Sequence, residues 1–301
     1  MRLIRRFEER ALDVWKAGEI VGSMHLCCGQ EAIPVGACRT LDAGDALTAT
    51  YRGHGWAVAR GVPVADVYAE LMGRQSPLCG GRGGSAYLSS AAHGFLGENS
   101  IVGAGVPIAL GAALAADRDG RRAVSLVAIG DGALNQGSVH EALNFAAVWQ
   151  LPLVIVVENN VYSELTPISD MVRVEPLSNR AAGYGMPGVT VDGRAISTVE
   201  AAVAEAVERA RAGGGPSIVE ALCDRLFGHY TGDVQQYRPK GELEEAAARE
   251  PLRRLRDEHP DLNPAFDEAD AAVEADLEVA LETARTVPPA DPATALERLY
   301  A

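Results

Sequence analysis

Two solid apolar runs, Ala123–Ile129 and Leu151–Val157, stand at the centre of the chain. A run of this length bounded by turn residues predicts a strand buried on both faces of a parallel sheet. Between them, Gly137–Gln150 has helical spacing, with Val139, Leu143, Ala146, Ala147 and Trp149 available for one face. The unit is strand, helix, strand. Each run ends in a polar cluster, Ile129-Gly130-Asp131-Gly132-Ala133 and Glu158-Asn159-Asn160-Val161-Tyr162. Ligands of open α/β sheets bind at such carboxyl ends.

The same alternation extends outwards. Leu3, Ile4, Phe7, Ala11, Val14 and Trp15 recur at helical spacing from the first residues, with no capping residue ahead of them. This is the pattern expected of a shortened start or of a naturally short one. A loop Gly18–Gly29 carries His25, and a helix is predicted over Gln30–Arg39. Ala46–Thr50 reads as a strand ending in Tyr51-Arg52-Gly53-His54-Gly55, followed by helices over Trp56–Arg60 and Val64–Met72. Residues 73–105 are dense in glycine and read as one long functional loop. Val106–Ala116 is an apolar, alanine-rich helix, and a loop is predicted from Val161 to about Pro176. Val189–Val191 and Ser217–Cys223 are strands flanking the amphipathic helix Ile196–Ala212, which Gly213–Gly215 stop. A third cluster follows, Arg225 to Asp233, with His229 at its centre. From Leu243 onwards the chain is helical, charged and alanine-rich. The expected fold is a doubly wound parallel sheet with helices on both faces. We expect a binding domain over residues 1–240 and a helical tail, 241–301, packed on it.

Composition narrows the partners. Apolar content of 48% is ample for a core, and the net charge of −14 argues against nucleic acid or an anionic membrane as main partner. No apolar run reaches membrane-span length, and Met1-Arg2-Leu3-Ile4-Arg5-Arg6 lacks a signal-peptide core. The five cysteines form no C-x-x-C pair and read as reduced thiols, so a cytoplasmic location is expected.

The central clusters suggest a cation and a diphosphate. Asp131 and Asn160 offer hard oxygens, and a main-chain carbonyl, that of Tyr162, can join them. Magnesium is usually shared between such protein ligands and bound phosphates. The Gly-flanked helix start offers N–H groups to the same anion, and Arg52 is a natural phosphate clamp. His25, His54 and His229 all sit in glycine-rich surroundings, where an imidazole near neutrality can donate to an oxyanion or move protons.

In combination these segments are recognisable. Gly130-Asp131-Gly132 followed, a helix and a strand later, by Asn159-Asn160 resembles the thiamine diphosphate fingerprint. The chain resembles the alpha subunit of the first component of acetoin and 2-oxo acid (pyruvate, branched-chain) dehydrogenase complexes. His25-Leu-Cys-Cys-Gly-Gln-Glu-Ala32, Tyr51-Arg-Gly-His-Gly55, Gly81-Arg-Gly-Gly-Ser85, Trp149-Gln-Leu-Pro152, Gly228-His229 and the closing Asp291-Pro292 … Leu299-Tyr300-Ala301 carry it across nearly the whole length. The resemblance implies a thiamine diphosphate-binding fold, with Asp131, Asn160 and the Tyr162 carbonyl on magnesium. It implies Tyr51 and Arg52 on the diphosphate, with Gly130, Gly132 and Ala133 lining it through main chain. Ser100 and Val102 would lie along the aminopyrimidine, although the family often has glycine at the Ser100 position. His25, Tyr51 and His229 would face the substrate, His229 also contacting the cofactor, and His54 would support the pocket.

The resemblance further implies that a separate beta subunit supplies the activating glutamate, that this chain alone is inactive, and that the two assemble as a two-plus-two heterotetramer. Gly232-Asp-Val-Gln-Gln-Tyr-Arg238 looks more like acetoin than pyruvate dehydrogenase chains, with Tyr230 where mitochondrial pyruvate dehydrogenases carry a phosphorylated serine. The implied function is cleavage of acetoin, with a hydroxyethyl unit held on thiamine and passed as an acyl group to a lipoyl acyltransferase. The alternatives are oxidation of pyruvate or a branched-chain 2-oxo acid, acyl delivery to a carrier protein, or a scaffold subunit without catalysis.

Overall fold

The structure, a computed structural model, describes residues 1–296; Leu299-Tyr300-Ala301 lie outside the described residues. Eight strands form in chain order: β1 Ala46–Thr50, β2 Phe95–Asn99, β3 Ser125–Gly130, β4 Leu153–Asn159, β5 Tyr162–Ser163, β6 Thr166–Pro167, β7 Gly188–Asp192 and β8 Ser217–Leu222. The helices are α1 Arg2–Lys16, α2 Ala32–Cys38, α3 His54–Ala59, α4 Val64–Leu71, α5 Gly105–Arg118, α6 Gly137–Trp149 and α7 Ile196–Arg211, then α8 Glu242–Ala248, α9 Pro251–Glu258 and α10 Asn263–Thr286. Six strands make one parallel sheet in the order β2-β1-β3-β4-β8-β7, and β5 with β6 forms a separate small hairpin.

The sheet is buried on both faces because its central strands are apolar at every position. Successive side chains of a strand point to opposite faces, and the two cores follow that rule. Leu126 and Ala128 of β3 and Val154 and Val156 of β4 pack with α1, α2, α3, α4, α7 and α10. Val127 and Ile129, with Leu153, Ile155 and Val157, pack with α5, α6 and the turn of residues 177–181. Each such aliphatic side chain contributes about 1.5–3 kcal/mol when fully buried, which pins the register at the strand ends. Leu277, Leu281 and Ala284 of α10 join the first core beside Phe7 and Tyr68, and Arg10 pairs with Glu274 and Glu278. No helix among the described residues is long and apolar enough to cross a membrane.

The glycine-rich segment is not one loop. It contains β2, the edge strand, whose pairing with β1 shifts register between Leu47 and Thr48. Gly97, opposite Thr48, has φ +133° and permits the bulge. Phe95-Leu96-Gly97-Glu98-Asn99 lacks the β-branched alternation that announces a strand, so the sequence pattern does not reveal it. The rest of the segment is shaped from outside. The buried Glu70 carboxylate on α4 accepts the N–H groups of Cys79 (3.0 Å), Gly81 (2.9 Å), Gly83 (2.7 Å) and Gly84 (3.4 Å). Within the expected loop 161–176 lies the β5–β6 hairpin, and His54 opens α3 rather than sitting in a loop.

Candidate active site

Five neighbouring strands end on one edge and deliver the polar clusters together. β2 leads to Ser100 and Val102, β1 to Tyr51 and Arg52, β3 to Asp131, β4 to Asn160, and β8 to Arg225 and His229. The registry of β3 with β4 sets Gly130 opposite Glu158, so the turns carrying Asp131 and Asn160 emerge side by side. These residues surround a cavity of about 380 Å³, within the range of small-molecule sites. His25, Gly132, Ala133 and Tyr162 also line it, so twelve expected residues meet there: Gly130 is among them and His54 is not.

His54 needs a correction. Its ring is fully buried, with Nδ1 2.9 Å from Glu8 Oε2 and Nε2 2.9 Å from Ser85 Oγ. Burial alone would lower its pKa, but the charge and hydrogen bond of Glu8 raise it to about 9. It is a buried imidazolium joining α1, α3 and the glycine-rich segment, and it does not reach the cavity. The flanking Gly53 and Gly55 mimic a loop, but Gly53 is there because a Cβ would fall 2.4 Å from Glu98 Cγ, and Gly55 because one would fall 2.7 Å from Cys27 Sγ.

At the cation end, two buried oxygens have no partner. Asp131 Oδ1 accepts the Gly132 N–H at 2.7 Å while Oδ2 is left over. Asn160 Nδ2 donates to Gln30 Oε1 at 3.2 Å, leaving Oδ1 unpaired. An orphaned buried acceptor is costly, and a cation relieves both at once. Among the described residues no group of three or more His, Cys, Asp or Glu could hold a metal. Such an ion would instead draw on one carboxylate, one amide oxygen, a main-chain carbonyl and a bound anion, the donor set that suits a hard cation. Burial raises the Asp131 pKa to about 6 and that of Glu158, which accepts from Trp56 Nε1 at 3.1 Å, to about 7.

The backbone directly after Asn160 is strained. Val161 has φ +61°, unusual for a β-branched residue and costing about 1–2 kcal/mol. The Asn159 side-chain oxygen accepts its N–H (3.1 Å), and its carbonyl accepts from Ile168 N (2.9 Å). The hairpin is thereby folded back onto Gly132, where a Cβ would lie 2.2 Å from Ser163 Oγ.

The histidine end is held by two arginines. Arg52 donates through Nη1 to the Leu26 carbonyl (2.6 Å) and through Nη2 to the His229 carbonyl (3.0 Å). It ties the His25 loop to the His229 loop, a task beyond the phosphate clamp expected of it. Arg225, given no role by the sequence, is buried and sets Nη1 2.9 Å from His229 Nδ1. Its Nη2 donates to the Glu164 carbonyl (3.1 Å) and to Tyr237 Oη (3.2 Å), and its buried Nε has no partner. Burial, with Arg52 close by, lowers its own pKa to about 10. The one available signal was its position, shortly after the end of β8 and four residues before His229. The His25 ring centroid lies 4.4 Å from that of Tyr51 and 5.0 Å from that of His229. Burial, reinforced by Arg52, pushes both histidines down to about 3, so both are neutral in ordinary buffers. Burial raises the Tyr51 pKa, keeping its hydroxyl protonated. The cavity therefore combines unpaired oxygens for a cation, donors for an anion, and neutral imidazoles for a polar substrate.

Known proteins are similar to this chain in sequence. The model of a family described as dehydrogenase E1 component matches residues 1–295. The chain is 46% identical over 239 residues to the alpha subunit of acetoin:2,6-dichlorophenolindophenol oxidoreductase of Bacillus subtilis, covering 79% of this chain and 72% of that one. It is 45% identical over 248 residues to the Cupriavidus necator protein of the same name, covering 82% and 74%. It is 44% identical over 244 residues to the alpha subunit of the Rhizobium meliloti pyruvate dehydrogenase E1 component, covering 81% and 70%.

Proposed function

The chain belongs to the dehydrogenase E1 component family, as the alpha subunit of a thiamine diphosphate-dependent oxidoreductase, and from that membership we propose that it acts on acetoin. The observation that carries this choice is the likeness to two acetoin oxidoreductase alpha subunits, at 46% and 45% identity, with which the histidine end is compatible. His25 and His229 are neutral, and the Nη groups of Arg52 and Arg225 already serve carbonyls, a hydroxyl and a ring nitrogen. A neutral hydroxyketone can take hydrogen bonds from such neutral imidazoles. The names of the two oxidoreductase relatives support the same substrate.

Bound thiamine diphosphate supplies the carbon nucleophile and the electron sink for breaking the bond beside the substrate carbonyl. The chain's own part is placement. Asp131 Oδ2, Asn160 Oδ1 and the Tyr162 carbonyl would hold magnesium, and Arg52, Tyr51 and the main chain of Gly130, Gly132 and Ala133 would receive the diphosphate. Ser100 and Val102, which line the cavity, would flank the aminopyrimidine. His229 and His25 donate to the substrate oxygen, and His229 stays within reach for acyl handover. An alpha chain of this family works with a beta chain; here we propose a two-plus-two heterotetramer in which beta supplies the activating glutamate. Its lipoyl acyltransferase then receives the two-carbon unit. Ile101, Val102 and Met171 at the cavity are 67%, 42% and 43% exposed, an apolar rim that suits a covering chain.

The alpha–beta pair, reconstituted with thiamine diphosphate and magnesium, should turn over acetoin in preference to pyruvate and 2-oxoisovalerate. Appreciable turnover of pyruvate with none of acetoin would overturn the assignment. Alpha chain assayed alone should be inactive.

A further inference from the structure

We infer that Arg225 is the positioning residue that makes His229 an obligate hydrogen-bond donor, by holding its ring in the Nε2–H tautomer. The inference rests on the reading of His229 as a group that meets substrate. It follows from which atom faces Nδ1. Arg225 Nη1 lies 2.9 Å from it in a buried contact, and a guanidinium has five donors and no acceptor. Nδ1 must therefore present its lone pair, and the single proton of a neutral imidazole falls on Nε2. That nitrogen has no partner among the described residues, and His229 lines the cavity.

The identity of the partner decides the chemistry. A carboxylate or carbonyl at Nδ1 draws the proton there and leaves Nε2 as an acceptor, the arrangement of a general base. The same molecule shows an acceptor in that place: His54 has Glu8 at Nδ1, which holds a proton there, and the ring is an imidazolium. An arginine in that place reverses the outcome, and its guanidinium does not deprotonate in the working range to allow the other tautomer. His229 then polarises a substrate oxygen and cannot remove a proton through Nε2.

Arg225 is itself immobilised. Tyr237 Oη accepts from its Nη2 (3.2 Å) and donates to Asp233 Oδ2 (2.7 Å). Asp233 Oδ2 also accepts the His229 main-chain N–H at 2.6 Å, and Oδ1 accepts Gln235 N at 2.8 Å. The ring and the backbone of His229 are thus fixed through one closed circuit, which leaves Arg225 no freedom to release Nδ1.

The test reads the tautomer directly. Alpha chain carrying 15N-histidine is assembled with unlabelled beta chain, and His229 is assigned by loss of its signals in His229→Asn. The expected spectrum at neutral pH has an unprotonated Nδ1 and a protonated Nε2. Arg225→Lys, which keeps a donor at Nδ1, should retain that pattern. Arg225→Glu replaces the donor by an acceptor, and should move the proton to Nδ1 and lower kcat by about 10²–10³-fold, the cost of losing one preorganised donor, with a smaller change in KM. A wild-type spectrum showing Nδ1–H or imidazolium overturns the inference, as does wild-type kcat in assembled Arg225→Glu. If that variant does not assemble, the wild-type spectrum decides alone. Because the spectrum is recorded without substrate, failure of the acetoin assignment leaves it intact and is seen separately in the turnover assay.

Discussion

Replacing His54 with asparagine should cost the assembled enzyme stability and leave kcat nearly unchanged. The ring is fully buried and bonded at both nitrogens. Burial opposes its charge, yet Glu8 holds the folded pKa at about 9 against an ordinary 6.5. At about 1.4 kcal/mol per pKa unit this linkage is worth about 3 kcal/mol, comparable with the ~3–5 kcal/mol for breaking a buried ion pair. In a chain of this size such a loss lowers Tm by on the order of 5–10 °C. The folded value is the higher one, so the contribution is complete below pH 6.5 and is lost as pH rises through 9. The gap in Tm between wild type and His54→Asn should therefore be full at pH 6 and narrow towards pH 9.5. Glu8→Gln should behave alike. The double variant should lose less than the sum, because no unpaired charge is then left buried. The assay is thermal unfolding of the alpha–beta complex across pH, beside kcat at a permissive temperature. A kcat reduced a hundredfold at unchanged Tm would refute the reasoning and return His54 to the chemistry.

Asn160→Ala removes one of two unpaired oxygens and should raise the magnesium needed for half-saturation by at least about tenfold, read by metal titration of cofactor binding. Unchanged demand would exclude Asn160 from the cation site. Glu70→Ala strips the acceptor from four main-chain N–H groups; at ~1–3 kcal/mol for an unsatisfied group, limited proteolysis within residues 79–84 should accelerate at least about tenfold. Equal cleavage rates would mean that the segment holds its own shape. Gly132→Ala drives a Cβ into Ser163 and should destabilise the holoenzyme by about 1–3 kcal/mol. Adding Ser163→Gly should restore much of that loss in thermal unfolding, and no recovery would locate the clash elsewhere.

The sheet and the turns that carry Asp131 and Asn160 were legible because both are written locally. An apolar run followed by Gly130-Asp131-Gly132 states strand and turn in adjacent letters, and Asn160 repeats the statement one strand later. What escaped reading is written across distance. Glu8, Glu70 and Glu98 are ordinary acidic residues in the sequence, yet each is buried. Glu8 bonds Cys27 N at 3.0 Å, nineteen positions away, and no periodicity signals such a partner. Arg225 escaped for the same reason: the meaning of its guanidinium depends on which nitrogen of His229 it meets. β2 escaped because an edge strand with glycine and two polar residues has little pattern to show. His54 was misplaced because glycines required by tight packing look like glycines required by a turn.

The way Glu70 holds its segment has a consequence for inheritance and for transplantation. A carboxylate that grips amide hydrogens reads a feature common to nearly every residue, so the shape of residues 79–84 is encoded jointly, on α4 and in Gly80, Gly81 and Gly84, whose φ values are +68°, +75° and +60°. Side chains such as that of Arg82 can drift without altering the curve they ride on. The segment grafted alone onto another scaffold would arrive with half of its instructions, whereas a different segment of equal length with glycine at the same positions, set over the same glutamate, would be bent to the same path.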